Sequence, residues 1–280
     1  MKNLLTMKLF FLLLLLFLFT TGTQPLLSQN NQTKPKTSET NPLTDADRHA
    51  LENIIIEKYY VADSSDYNHD SINGILDKGS VTYRIYVDLK PDYWLQMVYG
   101  SPKHPLTIKT STRFYNSDLG GYIGYNVNVH KLEVGNTLLD SYITLNSASN
   151  LFAGVLLSED PDGSVLERRK AFSSRDGLTN GNLPQLRPFN LDLSFFNNDS
   201  TARTFTTSNG GWTGFSGIKA GAKGPTKENR ILIAQLTTNG TLSFDLNIQV
   251  ATPSGSYLKF VAKDATEDNE VAFEGLSFKP

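Results

Sequence analysis

The sequence predicts an all-β protein, an antiparallel two-sheet β-sandwich of jelly-roll type, and three observations predict it. Beyond residue 50 the apolar residues recur with a period of two, the spacing of a pleated strand with one buried face. The runs are short and are separated by clusters of Gly, Asn, Asp, Ser and Pro, the residues that build turns. No stretch between them shows the 3.6-residue period of a packed amphipathic helix.

The elements follow in chain order. Lys2 and Lys8 precede an uncharged run from Leu9 to Leu27, whose centre, Leu9 to Phe19, is entirely Leu and Phe. That centre is shorter than the ~20 residues needed to span a bilayer and has the length of a signal-peptide core. Small and polar residues follow, so residues 1–29 are predicted to be a secretory signal cut between Thr23 and Gln29. Residues 30–50 read as a disordered linker, since Asn30 to Pro42 contains no apolar residue. Within it, Thr44 to Leu51 has the pattern of one helical turn capped by Thr44 or Asp45.

Residues 51–280 are then a single sandwich domain. In its clearest strand, Val81, Tyr83, Ile85, Val87 and Leu89 alternate with Thr82, Arg84, Tyr86 and Asp88. The strongest hairpin signal is Arg230 to Ala251, where Asn239-Gly240 has the composition of a type I′ turn. Shorter strands are expected at 53–62, 94–99, 106–114, 122–129, 138–145, 152–157, 190–195 and 256–262. Glu159 to Pro188 and Thr206 to Lys227 are longer than ordinary connections and read as functional loops.

Composition narrows the chemistry. The chain has no cysteine, which excludes disulfides, thiol catalysis and thiolate metal sites, so a hydrophobic core must hold the fold. Its 26 basic and 28 acidic residues give net −2, and loss of Lys2 and Lys8 with the signal leaves 24 against 28, or −4. A mixed, mildly acidic surface argues against nucleic acid as a partner. No apolar run after the signal reaches membrane length, so no span remains once it is cleaved.

His49, His69, His104 and His130 show no metal-ligand spacing and read as polar surface residues. Gly217, Gly221 and Gly224 lack the Gly-Lys-Ser/Thr ending of a phosphate loop. No cofactor is required, but Asp63, Asp66, Asn68 and Asp70 place several hard oxygens in one segment, the donor type that calcium takes. For a sugar, the stacking candidates are Trp212, set among glycines on a long loop that reads as exposed, with Tyr122 and Tyr125. Trp94, inside the apolar run YWLQMVY, reads as core. Paired carboxylates for glycoside hydrolysis would come from Glu159, Asp160, Asp162 and Glu167.

The chain also resembles a known module. The segments EKYY (Glu57 to Tyr60), VTYRIYVDLKP (Val81 to Pro91), LQMVYG (Leu95 to Gly100), FYNSDLGG (Phe114 to Gly121), LLDSYITL (Leu138 to Leu145), GPTKENRILIAQLTTNG (Gly224 to Gly240) and LNIQVATPSG (Leu246 to Gly255) carry the likeness in order. The module is found in secreted proteins of Bacteroidetes type that leave through the type IX route. The resemblance implies an extracellular or cell-surface β module, with the periplasm as the other compartment open to an exported chain. It brings no activity, cofactor or catalytic residue. The expected function is therefore a secreted, non-enzymatic sandwich with a structural, adhesive or carbohydrate-binding role and an extracellular protein or glycan as partner. The alternative is a secreted polysaccharide hydrolase using paired carboxylates.

Overall fold

A computed structural model describes residues 41–66, 76–160, 165–166, 175–181, 183–197, 200–216 and 219–280. The expected signal peptide and residues 30–40 of the linker lie outside the described residues. Residues 41–50 pack on the domain rather than trailing from it. Thr44 caps the short helix α1 (Asp45–Arg48) in a capping box with Asp47. Tyr93 donates its hydroxyl to Asp47 Oδ1 at 2.9 Å, and Ser256 donates to the Asn41 carbonyl.

The fold is nearly all β, as the alternation predicts. Strands β1 (Leu51–Val61), β2 (Val81–Leu89), β3 (Trp94–Tyr99), β4 (Leu106–Thr110), β5 (Tyr142–Ile143), β6 (Ala153–Gly154), β7 (Leu178–Thr179) and β8 (Gln185–Phe189) come first. They are followed by β9 (Thr204–Thr207), β10 (Gly211–Ser216), β11 (Lys219–Ala220), β12 (Arg230–Thr238), β13 (Leu242–Asp245), β14 (Asn247–Ala251), β15 (Tyr257–Val261), β16 (Glu270–Ala272) and β17 (Ser277–Phe278). One sheet has the order β1-β2-β12-β5. A seven-stranded sheet runs β11-β10-β3-β14-β15-β16, with β8 on the other edge of β10. A third sheet, β17-β13-β4-β9, and the pair β6-β7 complete the described strands. Pairing is antiparallel except between β15 and β16.

The main core lies between the β1-β2-β12-β5 sheet on one side and the other two large sheets on the other. Ile85, Val87, Leu89, Ile231 and Ile233 meet Leu95, Val98, Ile248, Val250, Leu258 and Phe260 there, with Ile108, Phe205 and Phe244 from the third sheet. The opposite face of β2, which alternation alone assigns to solvent, is covered as well. Tyr59, Tyr86, Tyr142 and Leu232 form a second core with Leu138, Leu139, Leu156 and Leu178, supplied by the irregular chain between β4 and β8.

Two expectations are corrected. Arg230 to Ala251 is not a hairpin, because β12 pairs with β2 and β5 whereas β13 pairs with β4 and β17. Neither Asn239 nor Gly240 adopts positive φ, so the turn is a corner between sheets and not type I′. Gly240 is needed there for space, since a Cβ would stand 2.5 Å from Thr112 Oγ1. The apolar run that follows breaks at Leu246, whose N–H donates to the Leu276 carbonyl, and passes from one sheet to the next. The second correction concerns Thr206 to Lys227: rather than one long loop, it contains the end of β9 and supplies β10 and β11 to the seven-stranded sheet.

Candidate ligand-binding site

The two tryptophans exchange the places expected of them. Trp212 is fully buried at 0% exposure on β10 and donates Nε1–H to the Thr144 carbonyl at 3.0 Å. Its glycine neighbours permit close packing rather than loop freedom: a Cβ at Gly211 would stand 2.3 Å from the Val98 carbonyl oxygen, and one at Gly214 would stand 2.7 Å from a Leu145 methyl. Trp212 has no face left for a ligand. Tyr122 and Tyr125 are exposed, at 42% and 46%, but on a turn rather than the expected strand.

Trp94, by contrast, is only partly buried and opens onto a groove of about 520 Å³ lined by Asp92, Gln96, Lys223, Ala251, Thr252 and Pro253. The preceding turn is clamped by Asn229, whose Nδ2 donates to the carbonyls of Lys90 at 2.8 Å and Tyr93 at 3.1 Å. A β-bulge follows, because Val250 pairs with Leu95 and Gln249 pairs with Met97, leaving Gln96 as the extra residue. Leu95 and Val98 therefore both point inward, while Trp94, Gln96 and Met97 stay on the outer face.

Around Trp94 the outer face is amphipathic. The Lys223 ammonium lies 5.4 Å from the centre of the Trp94 ring and 3.8 Å from the Asp92 carboxylate. Gln249 Nε2 donates to Gln96 Oε1 at 2.8 Å, and Thr213 donates to the Gln96 carbonyl at 2.7 Å. Tyr257 and Phe215, 45% and 41% exposed, extend the aromatic surface along the same sheet. An apolar ring set beside amides, hydroxyls and a paired cation suits a neutral, hydroxyl-rich ligand.

The other candidates are engaged in the structure. Asp63 Oδ1 accepts from the N–H and hydroxyl of Ser65, and Asp66 Oδ2 accepts from the Tyr60 hydroxyl and the Asp63 N–H, so both acids cap their own turn. Asn68 and Asp70 lie outside the described residues, and among those described no group of three acids or histidines is arranged to hold a metal ion. Glu159 pairs with Arg230, and Asp160 Oδ2 accepts from the Gly177 N–H at 2.9 Å. Asp162, Glu167 and His69 fall outside the described residues. His104 is not on the surface as expected but is buried against Glu270, with Nε2 to Oε2 at 3.2 Å. Burial pushes the Glu270 carboxyl up, but donors from Thr266, Glu267 and His104 outweigh it and hold it below its ordinary value.

Asp140 is buried beneath the turn that carries Tyr122. Its two oxygens accept the N–H groups of Ser117 at 2.7 Å and Gly121 at 2.8 Å. Burial pushes its carboxyl up to about 7, against the opposing pull of those donors and of the Ser141 N–H. The folded chain therefore holds a proton that the unfolded chain releases near pH 4, so this group's contribution to stability is complete below pH 4 and is lost as pH rises toward 7. Between those limits the wild type is expected to lose ~1.4 kcal/mol per pH unit relative to Asp140→Asn. Melting temperatures of the two proteins from pH 4 to 8 check this, and parallel curves would rule it out.

The fold and this face define an all-β sandwich with a solvated aromatic sheet surface. Compared with known proteins, the chain matches no family model, no curated protein and no solved structure. Among the described residues no helix is long and apolar enough to cross a membrane.

Proposed function

We propose that this chain is an exported, non-enzymatic β-sandwich module that binds carbohydrate on the outer face of its seven-stranded sheet, in the groove floored by Trp94. One observation carries this: of the chain's two tryptophans, one is locked in the core and the other opens on a groove among amide and hydroxyl groups. Sugar rings present flat C–H faces edged by hydroxyls, and an aromatic ring beside Gln96, Gln249 and Thr252 answers both parts. The signal-like N-terminus and the resemblance to secreted modules support an extracellular or cell-surface setting, where such a module would hold a polymer adhesively.

Tryptophan fluorescence tests the assignment, because the buried Trp212 serves as an internal control. Titration with a panel of plant, fungal and bacterial polysaccharides is expected to shift the emission of the wild type. Trp94→Phe is expected to retain folding, lose the shift and weaken binding about tenfold or more. Failure of every glycan to bind the wild type, or binding unchanged by Trp94→Ala, would overturn the assignment.

A further inference from the structure

We infer that the polymer is a linear, uncharged, β-1,4-linked pyranose chain lying across the strands, with alternate sugar rings on Trp94 and Tyr257. This rests on the carbohydrate reading above and adds the geometry of the ligand. In the sheet register Trp94 stands opposite Ala251, and Ala251 stands opposite Tyr257. The three residues form one row across β3, β14 and β15, and their neighbours Leu95, Val250 and Leu258 are fully buried, which places the row on the outer face. Two aromatic side chains are thus separated by two interstrand steps, about 9.6 Å. Ala251, between them, contributes only a methyl group to the row.

Spacing selects the linkage. In an extended β-1,4 chain successive rings alternate in facing, so every second ring repeats the same orientation, and that disaccharide repeat is close to the two-strand step. Rings n and n+2 rest on Trp94 and Tyr257 while ring n+1 passes over Ala251. An α-1,4 or β-1,3 chain curls away from a straight row and meets only one of the two aromatics. The edges of the row agree with this. On one side the Gln96–Gln249 amide pair keeps donors and acceptors beyond its mutual bond for equatorial hydroxyls. On the other, the Thr252–Ser256 turn, held by the Thr252 N–H to the Ser256 carbonyl at 2.9 Å, forms a rigid border.

Charge selects against acidic polymers. Lys223 already carries Asp92, and Lys259 carries Glu267 at 2.7 Å with Glu270 at 3.9 Å. These two cations beside the row are paired with the protein's own acids and are not available to a uronate or sulfate.

Calorimetry with hexaoses of defined linkage tests the inference: cellohexaose, xylohexaose and chitohexaose against laminarihexaose (β-1,3) and maltohexaose (α-1,4). One of the β-1,4 hexaoses is expected to bind at least about tenfold more tightly than its own disaccharide and than the curled chains. Tyr257→Ala is expected to remove about that factor for the hexaose and leave the disaccharide unchanged, whereas Trp94→Ala weakens both. Tyr257 is 45% exposed, so its truncation leaves the core intact. Tighter binding of laminarihexaose or maltohexaose, or a hexaose affinity indifferent to Tyr257→Ala, would overturn the across-strand geometry while leaving carbohydrate binding in place. Absence of binding to every sugar would remove the underlying reading itself.

Discussion

Arg84→Ala is expected to destabilise the domain by about 3–5 kcal/mol, the cost of removing one member of a buried charged network. Arg84 lies mid-strand on β2 at 0% exposure. It stands opposite Glu57 on β1 and Gln235 on β12, one polar row crossing three strands. Its Nε donates to Gln235 Oε1 at 2.8 Å, its Nη1 donates to the Gly177 carbonyl at 2.8 Å, and its guanidinium carbon sits 3.6 Å from the centre of the Tyr59 ring. Truncation strips donors from two buried oxygens and leaves Glu57 without the cation that offsets its burial. Desolvation already raises the Glu57 carboxyl, with the Arg84 charge opposing it. The double variant Glu57→Gln, Arg84→Met is expected to recover most of the loss, because it removes both charges from the second core. Urea unfolding of the three proteins decides this. An Arg84→Ala variant within ~1 kcal/mol of wild type would mean that the row contributes no more than an ordinary hydrogen bond.

Arg84 also shows how far the sequence was legible. Alternation along Val81 to Leu89 assigned the two faces of β2 correctly, with Arg84 and Tyr86 together on the second. It went wrong only in giving that face to water. Polarity on a strand normally reports solvent, but here Arg84 donates to Gln235, and Arg84, Gln235 and Thr237 each donate to carbonyls of the covering loops. The cover comes from residues between β4 and β8 that lack regular periodicity, so no local pattern announces it. The one available signal was the three tyrosines, Tyr59, Tyr86 and Tyr142, in strands that place them beside that arginine.

The corner at Asn239-Gly240 failed for a different reason. Two alternating runs around an Asn-Gly pair satisfy every local rule of a hairpin, and only long-range pairing with β2 and β4 separates them. The site was least legible where a bulge intervened. Counting strict alternation back from the buried Val98 puts Trp94 in the core, and the extra residue Gln96 reverses the parity so that Trp94 faces out. A bulge has no composition of its own in YWLQMVY, and the groove was therefore invisible in the sequence. Trp212 was readable in principle: glycines alternating with apolar residues in a strand-length segment mark close backbone approach as readily as a loop.

Truncating that residue is the second large effect. Trp212→Ala is expected to cost about 3–5 kcal/mol by leaving the volume of an indole empty in a close-packed core. Part of the cost is specific to this site. The Nε1 donor bonds the Thr144 carbonyl, and the Thr144 N–H bonds the Ile233 carbonyl on β12. The indole thus ties the inner face of the seven-stranded sheet to the segment lying along the opposite one. Trp212→Phe keeps most of the ring volume but leaves that carbonyl unpaired, and a smaller loss of about 1–3 kcal/mol is expected. Because Trp212 faces the core and Trp94 faces the groove, Trp212→Phe is expected to bind glycan as the wild type does while unfolding at lower denaturant. Trp94→Ala is expected to do the reverse. Should Trp212→Phe lose glycan affinity at full folding, the two tryptophans would be coupled through β10 and β3, and the assignment of one to stability and the other to binding would fail.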